Sequence, residues 1–164
     1  PGAVLYLALE DNPRRLQRRL HIVAGSEPWP RDLEFDTEWP RLDAGLVKMR
    51  EWVVTRPNVR LLIIDTLAII RPEARAADSA HSGDYAALRG LHQLANEHGI
   101  SVLVVHHVRK ADAEDPFDTV SGSTGLTGAA DTVLVLNRDT QGTTISGTGR
   151  DIERSQARDI LQSI

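Results

Sequence analysis

Three apolar runs in this sequence each lead into a polar side chain. These are residues 4–9 before Glu10, residues 61–64 before Asp65, and residues 100–105 before the pair His106 and His107. Runs of this kind, without polar alternation, are typical of strands buried on both faces of a parallel sheet. In open α/β sheets, ligands collect beyond the carboxyl ends of the strands. The pattern therefore predicts two carboxylates and an imidazole along one edge of a sheet.

Phosphate-ester hydrolysis needs side chains of these types. One group must orient and deprotonate water, a metal ion must neutralise phosphate charge, and polar groups must contact the terminal phosphate. Asp65 is placed to hold a metal ion or a metal-bound water, and the Glu10 carboxylate is expected at the same edge of the sheet. A structural alternative exists for each, because Asp65 can cap a turn or the next helix and Glu10 can cap the helix after Pro13.

The adjacent histidines cannot easily share a metal ion, because neighbours on a strand point to opposite faces. One of them is therefore expected to be buried with its hydrogen bonds satisfied, while the other faces the site. The position of His107 in the run favours it as the residue that faces the site.

Hydrophobic periodicity predicts an α/β layered fold in one domain. The predicted strands cover residues 4–9, 33–35, 61–64, 100–105, 132–136 and 143–146, and the predicted helices cover residues 14–20, 43–55, 84–98 and 153–161. Loops are predicted over residues 72–83 and 111–118, a flexible segment over 121–128, and a turn over 137–142. Gly99 is expected to end the third helix.

Composition limits the possible classes of protein. The chain has 164 residues, 41% of them hydrophobic and 26% charged, as is ordinary for a globular domain. A net charge of −4 gives no overall attraction to nucleic acid, so such binding would need a local basic patch. The absence of cysteine excludes disulfides and thiolate metal sites. No signal peptide or membrane-spanning run is present, so a cytoplasmic protein is the default expectation.

Four stretches carry a family resemblance. They are residues 7–11, 62–67, 104–110 and 122–126, and they follow the order seen in RecA-like ATPases. The run His-His-Val-Arg-Lys with the downstream Gly-Ser-Thr-Gly-Leu is the most specific part. More closely, the chain resembles the RepA-type hexameric helicases, which are AAA-domain ATPases of plasmids, phages and mobile elements. The likeness extends over residues 4–153.

The resemblance implies a RecA-like three-layer sandwich with a mostly parallel sheet. It also implies ATP and Mg²⁺ as ligands, single-stranded DNA as a partner, and a homo-oligomer, expected to be a hexameric ring. Glu10 would be the general base, Asp65 would bind Mg²⁺ through its water shell beside Thr66 and Ser123 at the nucleotide, and His107 would sense the γ-phosphate.

For the remaining positions the resemblance implies contact with DNA or with a neighbouring subunit. Arg109, Lys110, Ser123 and Thr124 would contact DNA phosphates, and Arg150 would be an arginine finger acting on the next subunit. Other interpretations remain open: Arg109 and Lys110 can form a solvated loop, and Arg150 a structural ion pair. The glycines around Ser123 can form an anion-binding nest or a flexible hinge.

One motif of the family is missing. No Gly-x-x-x-x-Gly-Lys-Ser/Thr phosphate loop occurs in the sequence, and residue 1 is Pro rather than Met. We expect this chain to be the portion of a helicase that follows the P-loop, inactive by itself, with residues 154–164 as a C-terminal helix or tail. The alternatives are a catalytically silent RecA-like module that binds DNA or partner subunits, and an unrelated α/β fold.

Overall fold

The computed structural model of the chain describes residues 2–71, 80–108, 115–120, 124–140 and 142–158. In chain order the elements are β1 (Ala3–Ala8), α1 (Pro13–Ala24), β2 (Leu33–Asp36), α2 (Leu42–Val54), β3 (Val59–Asp65), α3 (Leu67–Ile70), α4 (Ala80–His98), β4 (Ser101–Val105), a 3₁₀ turn (Pro116–Thr119), α5 (Thr124–Ala129), β5 (Thr132–Asp139), β6 (Gly142–Gly149) and β7 (Ser155–Arg158). The alternation of strands and helices confirms the predicted α/β class.

Strands β1 to β4 form a parallel sheet in the order β2-β1-β3-β4. The chain moves outward from β1 to β2, then crosses back over β1 to β3 and continues to β4. Since parallel crossovers are right-handed, this reversal puts α1 on one face of the sheet and α2 with α4 on the other. The arrangement also brings the carboxyl ends of β1 and β3 side by side at the point where the order reverses.

The main core lies between the sheet and the face covered by α2, α3 and α4. Leu7, Ile64 and Leu94 are at most 1% exposed within it, and Met49 from α2 is fully buried. Burying one such aliphatic side chain stabilises the fold by about 1.5–3 kcal/mol. This packing fixes the register in which Leu7 of β1 lies opposite Ile64 of β3, and so it fixes the residues that follow both strands.

Strands β5, β6 and β7 form a separate antiparallel sheet. Among the described residues, β4 pairs only with β3 in the parallel sheet, and a groove of about 520 Å³ lies between β4, α4, α5 and β5. Its two strands carry exposed aliphatic side chains, such as Leu103 (47% exposed) and Leu134 (57% exposed). The parallel sheet thus has a broad apolar edge on this side.

Several predicted boundaries were wrong. Within the helix predicted over residues 153–161, residues 155–158 form β7, because the chain pairs there with β6, and this pairing overrides local helix propensity. Residues 159–161 lie outside the described part of the chain. β5 extends to Asp139 into the predicted turn over 137–142, α4 begins at Ala80 within the predicted loop over 72–83, and α5 occupies part of the segment expected to be flexible. Gly99 follows α4 with a φ of +62°, as the predicted helix stop requires.

No helix in the described part of the chain has the length and apolar character needed to cross a membrane.

Candidate active site at the switch point of the parallel sheet

The candidate site lies beyond the carboxyl ends of β1, β3 and β4. At the boundary between β1 and β3 the connections leave in opposite directions, and such switch points form the crevices in which open α/β sheets bind ligands. Glu10 follows β1, Asp65 ends β3, and His107 follows β4. The sequence prediction that these three residues lie at one edge of the sheet agrees with this topology.

Glu10 contacts side chains that follow β3, the strand next to β1, and β4, the strand beyond it. The Thr66 hydroxyl donates a hydrogen bond of 2.9 Å to Glu10 Oε1, and His107 Nε2 lies 3.2 Å from Oε1 and 3.3 Å from Oε2. The Glu10 side chain is 42% exposed and that of His107 is 71% exposed, so both are open to a ligand from solvent. The bond from Thr66, and then that from His107, lowers the pKa of the Glu10 carboxyl.

Asp65 faces a tyrosine on the adjacent strand. Ala8 lies opposite Asp65 in the ladder, and Tyr6, two residues earlier on the same side of β1, donates its hydroxyl to Asp65 Oδ2 at 3.0 Å. Burial and the hydrogen bond to Asp65 raise the pKa of Tyr6 to about 12, so the hydroxyl remains a donor at neutral pH. The following Thr66 is 1% exposed, and the peptide bond that joins it to Asp65 is cis.

Sequence inspection did not find the role of Tyr6. A signal was present, because a tyrosine within a buried strand usually directs its hydroxyl to a polar partner. The side-chain alternation along β1 places Tyr6 on the same face as Ala8, the residue opposite Asp65.

The oxygen atoms at the site suit a divalent cation such as Mg²⁺ that is bound partly by the protein and partly by a substrate. Asp65 presents a carboxylate, which Mg²⁺ prefers as a ligand, whereas Thr66 is buried and its hydroxyl donates to Glu10. The described residues contain no group of three or more histidine, aspartate or glutamate side chains that could enclose a metal ion. Magnesium sites of the phosphate-binding type need only one or two carboxylates, completed by waters and phosphates.

A pair of arginines secures the turn that carries Glu10. Arg15 and Arg19 of α1 both donate to the carboxylate of Asp11, whose side chain is only 3% exposed, and Arg15 also donates to the Glu10 carbonyl at 2.6 Å. These hydrogen bonds lower the pKa of Asp11, Arg15 contributing most. Sequence analysis assigned these arginines no role beyond the helix predicted over residues 14–20.

Arg150 lies in a different cluster. It follows β6, and its guanidinium is 3.1 Å from Asp131, whose other carboxylate oxygen is 3.3 Å from His92 Nε2. The Arg150 backbone N–H also donates to the Asp131 carbonyl at 2.9 Å. The side chain of Arg150 is 62% exposed. The structure therefore brings Glu10, Thr66 and His107 together and holds Arg150 beside Asp131 instead.

The other predicted site residues lie mostly outside the described part of the chain. This holds for Arg109, Lys110 and Ser123, while Thr124 is the first residue of α5. His106 lines the groove between β4 and β5, whereas His107 contacts Glu10.

Comparison with known proteins supports this architecture. The family model described as AAA domain matches residues 1–113. The fold is similar to the structure of the ATPase domain of G40P, with a TM-score of 0.78 at 18% identity over 94% of this chain and 69% of that chain. It is also similar to a DnaB-like replicative helicase studied with its interactions with primase, with a TM-score of 0.77 at 18% identity over 94% of this chain.

The chain spans 48% of the length of that helicase chain. No curated protein sequence matches. The predicted RecA-like fold with a mostly parallel sheet is confirmed by the structural likeness.

Proposed function

Because this chain belongs to the AAA domain family, we propose that it forms part of an ATP-hydrolysing, DNA-dependent motor of the replicative-helicase type. One observation carries the proposal: the Glu10 carboxylate lies at the switch point of the sheet, bonded to Thr66 and beside His107. A carboxylate that can orient water, with a hydroxyl and an imidazole beside it, lies where α/β sheets bind ligands, and this supports a role in nucleotide hydrolysis.

In this proposal Glu10 holds and polarises the attacking water. The water oxygen forms a bond to the γ-phosphorus, the bond from that phosphorus to the β,γ-bridging oxygen breaks, and the water proton passes to a Glu10 carboxylate oxygen. The contacts with Thr66 and His107 fix the carboxylate in one orientation. These contacts also lower the pKa of Glu10, so the carboxylate is ionised at neutral pH and able to accept the water proton.

Asp65 is proposed to hold Mg²⁺ through its water shell, with Thr66 and Ser123 beside it at the nucleotide, and the bound ion would neutralise phosphate charge. Tyr6 keeps the Asp65 carboxylate oriented through its hydrogen bond. His107 contacts Glu10 from the end of β4 and is proposed to report the state of the γ-phosphate to the segment that follows it.

The finer assignment is a RepA-type helicase that acts as a hexameric ring on single-stranded DNA. Arg109, Lys110, Ser123 and Thr124 are the proposed phosphate contacts of the DNA, and Arg150 is the proposed finger for the neighbouring nucleotide. We infer that the P-loop, which this sequence lacks, lies elsewhere in the parent protein, so that the isolated chain binds nucleotide weakly.

ATP hydrolysis by the full-length parent protein, with and without single-stranded DNA, tests the proposal. We expect turnover that rises on addition of single-stranded DNA and rises less with blunt duplex of the same length. A parent protein that binds DNA without turnover would instead support a catalytically silent RecA-like module. The sequence upstream of Pro1 gives an independent check, because the motor requires a P-loop there.

Replacing Tyr6 by phenylalanine should weaken the dependence of the reaction on Mg²⁺. The change removes the donor to Asp65 Oδ2, and lost partners of metal-holding carboxylates typically cost about 10- to 100-fold in affinity or activity. A Mg²⁺ titration of both nucleotide binding and turnover measures the effect. Tyr85→Phe is the matched control, because Tyr85 is 50% exposed on α4. Equal titrations for the two variants would contradict the role of Tyr6.

A further inference from the structure

The turn between β1 and α1 is fastened by an unusual arrangement of charges. The Asp11 carboxylate is 3% exposed although the neighbouring Glu10 side chain is 42% exposed. Two guanidinium groups account for this burial: Arg15 Nε donates to Asp11 Oδ1, and Arg19 Nη1 donates to Asp11 Oδ2 at 2.6 Å. A carboxylate bound by two arginines has little remaining capacity to act on a substrate, so Asp11 functions as an anchor.

Arg15 joins this anchor to the backbone of Glu10. While its Nε donates to Asp11, its Nη2 donates to the Glu10 carbonyl oxygen at 2.6 Å. The planar fork of the guanidinium makes both bonds with one rigid group, which a lysine ammonium cannot reproduce. One side chain therefore fixes two consecutive residues of the turn.

The remaining backbone contacts connect the same turn to α1 and β1. The Asn12 side chain accepts a hydrogen bond of 2.9 Å from the Arg15 backbone N–H and so caps the first turn of the helix. The Asp11 N–H donates to the Ala8 carbonyl at 3.1 Å. Arg15 is thus held at both its backbone and its side chain, and the position that it imposes on Glu10 is rigid.

We propose that Arg15 is a positioning residue that sets the location of the Glu10 carboxylate between Thr66 and His107. This inference rests on the proposed function, in which Glu10 orients the attacking water. A displacement of about 1 Å in a catalytic group can cost about 100-fold in rate. Loss of the Arg15 fork allows the backbone at Glu10 to shift by such a distance, while the nucleotide contacts elsewhere are unaffected.

The test compares Arg15→Gln with Arg14→Gln in the full-length parent protein. Arg14 is the exposed neighbour on the same turn of α1, so both variants lose one positive charge from the same helix. For Arg15→Gln we expect kcat to fall about 10- to 100-fold while the Kd for nucleotide stays unchanged. For Arg14→Gln both quantities stay at the wild-type values. Arg15→Lys, which retains the charge without the fork, should have an intermediate kcat.

The split between kcat and nucleotide Kd distinguishes positioning from a general structural role. Equal kcat values for Arg15→Gln and Arg14→Gln would overturn the inference, as would a parallel loss of nucleotide binding and turnover. If Arg15→Gln does not fold, the comparison of Arg15→Lys with Arg14→Lys decides by the same criteria. The Glu10→Gln variant distinguishes failure of the proposed function from failure of this inference. Normal turnover by Glu10→Gln would contradict the proposed function. Lost turnover by Glu10→Gln together with a normal kcat for Arg15→Gln would contradict only the positioning role of Arg15.

Discussion

Replacing Glu10 by glutamine in the full-length parent protein is expected to lower ATP turnover by about 10²- to 10⁴-fold, the range for loss of a general base. The amide keeps the size of the side chain and can still accept a hydrogen bond from Thr66, which donates to Glu10 Oε1 at 2.9 Å in the native site. What is lost is the negative charge that orients and polarises water. Nucleotide binding should therefore be retained, and a single-turnover assay beside a binding titration separates the two effects.

The pH dependence of the wild-type reaction gives a second expectation for Glu10. Its pKa is lowered from the ordinary glutamate value of 4.5, so the carboxylate stays ionised as the pH falls to that value and becomes protonated only below it. Loss of activity through Glu10 should accordingly occur at lower pH than for an unperturbed glutamate. If activity already declines well above pH 4.5, the decline must be due to protonation of a group other than Glu10.

Glu27→Gln is a suitable control for Glu10→Gln, because Glu27 is exposed in the loop after α1 and lies outside the site. We expect this variant to hydrolyse ATP at the wild-type rate. Normal turnover by Glu10→Gln would show that the site is assigned wrongly and would favour the silent binding module.

Replacing Arg150 by alanine is expected to lower turnover of the assembled protein by about 10³-fold or more, as for loss of an arginine finger. In the structure Arg150 pairs with Asp131 at the surface, where ion pairs contribute only about 0–1 kcal/mol. Such a pair can be exchanged readily for the phosphate of a nucleotide on a neighbouring subunit. The loss should appear in DNA-stimulated turnover, with the oligomer itself retained in size-exclusion chromatography.

Asp131→Asn distinguishes a finger from a structural ion pair. If Arg150 only stabilises the fold through Asp131, the two variants should be equally impaired. If Arg150 acts on a neighbouring nucleotide, Asp131→Asn should retain turnover while Arg150→Ala loses it. Mixing the Arg150→Ala and Glu10→Gln proteins adds a direct test, because under the proposed ring assembly a mixed oligomer would contain some sites with both groups intact. A mixture without recovered activity would contradict action between subunits.

Much of the fold could be predicted because the strands of the parallel sheet are continuous aliphatic runs in the sequence. The continuous aliphatic run before Asp65 matches β3, and the equivalent runs match β1 and β4. The expected burial on both faces was wrong for β4, where Leu103 is 47% and Val105 36% exposed. Since parallel strands share one carboxyl edge, strand assignment placed Glu10 and His107 on the same edge of the sheet, although the two residues are 97 positions apart. Their contact also depends on the strand order, which brings β4 next to β3 and β3 next to β1.

The features that sequence inspection missed depend on geometry across elements. The hydrogen bond from Tyr6 to Asp65 requires the register between β1 and β3, which is set by packing in the core. The hydrogen bond from the Arg15 guanidinium to the Glu10 carbonyl depends on the angle between α1 and the turn that precedes it. The predicted C-terminal helix failed for the same reason, because an open edge of β6 competes with local helix propensity and the residues of β7 pair with it.

The strand order also determines when the site can exist during folding. Val4 of β1 pairs with Leu61 of β3, and Leu61 pairs with Ser101 of β4, so every strand boundary at the site joins segments distant in sequence. Such non-local pairings close late, because loop-closure entropy must be overcome before they form. Helices can therefore appear while Glu10, Thr66 and His107 are still apart. Recovery of the contact between Glu10 and His107 after denaturation is thus a measure of strand registration rather than of secondary-structure content.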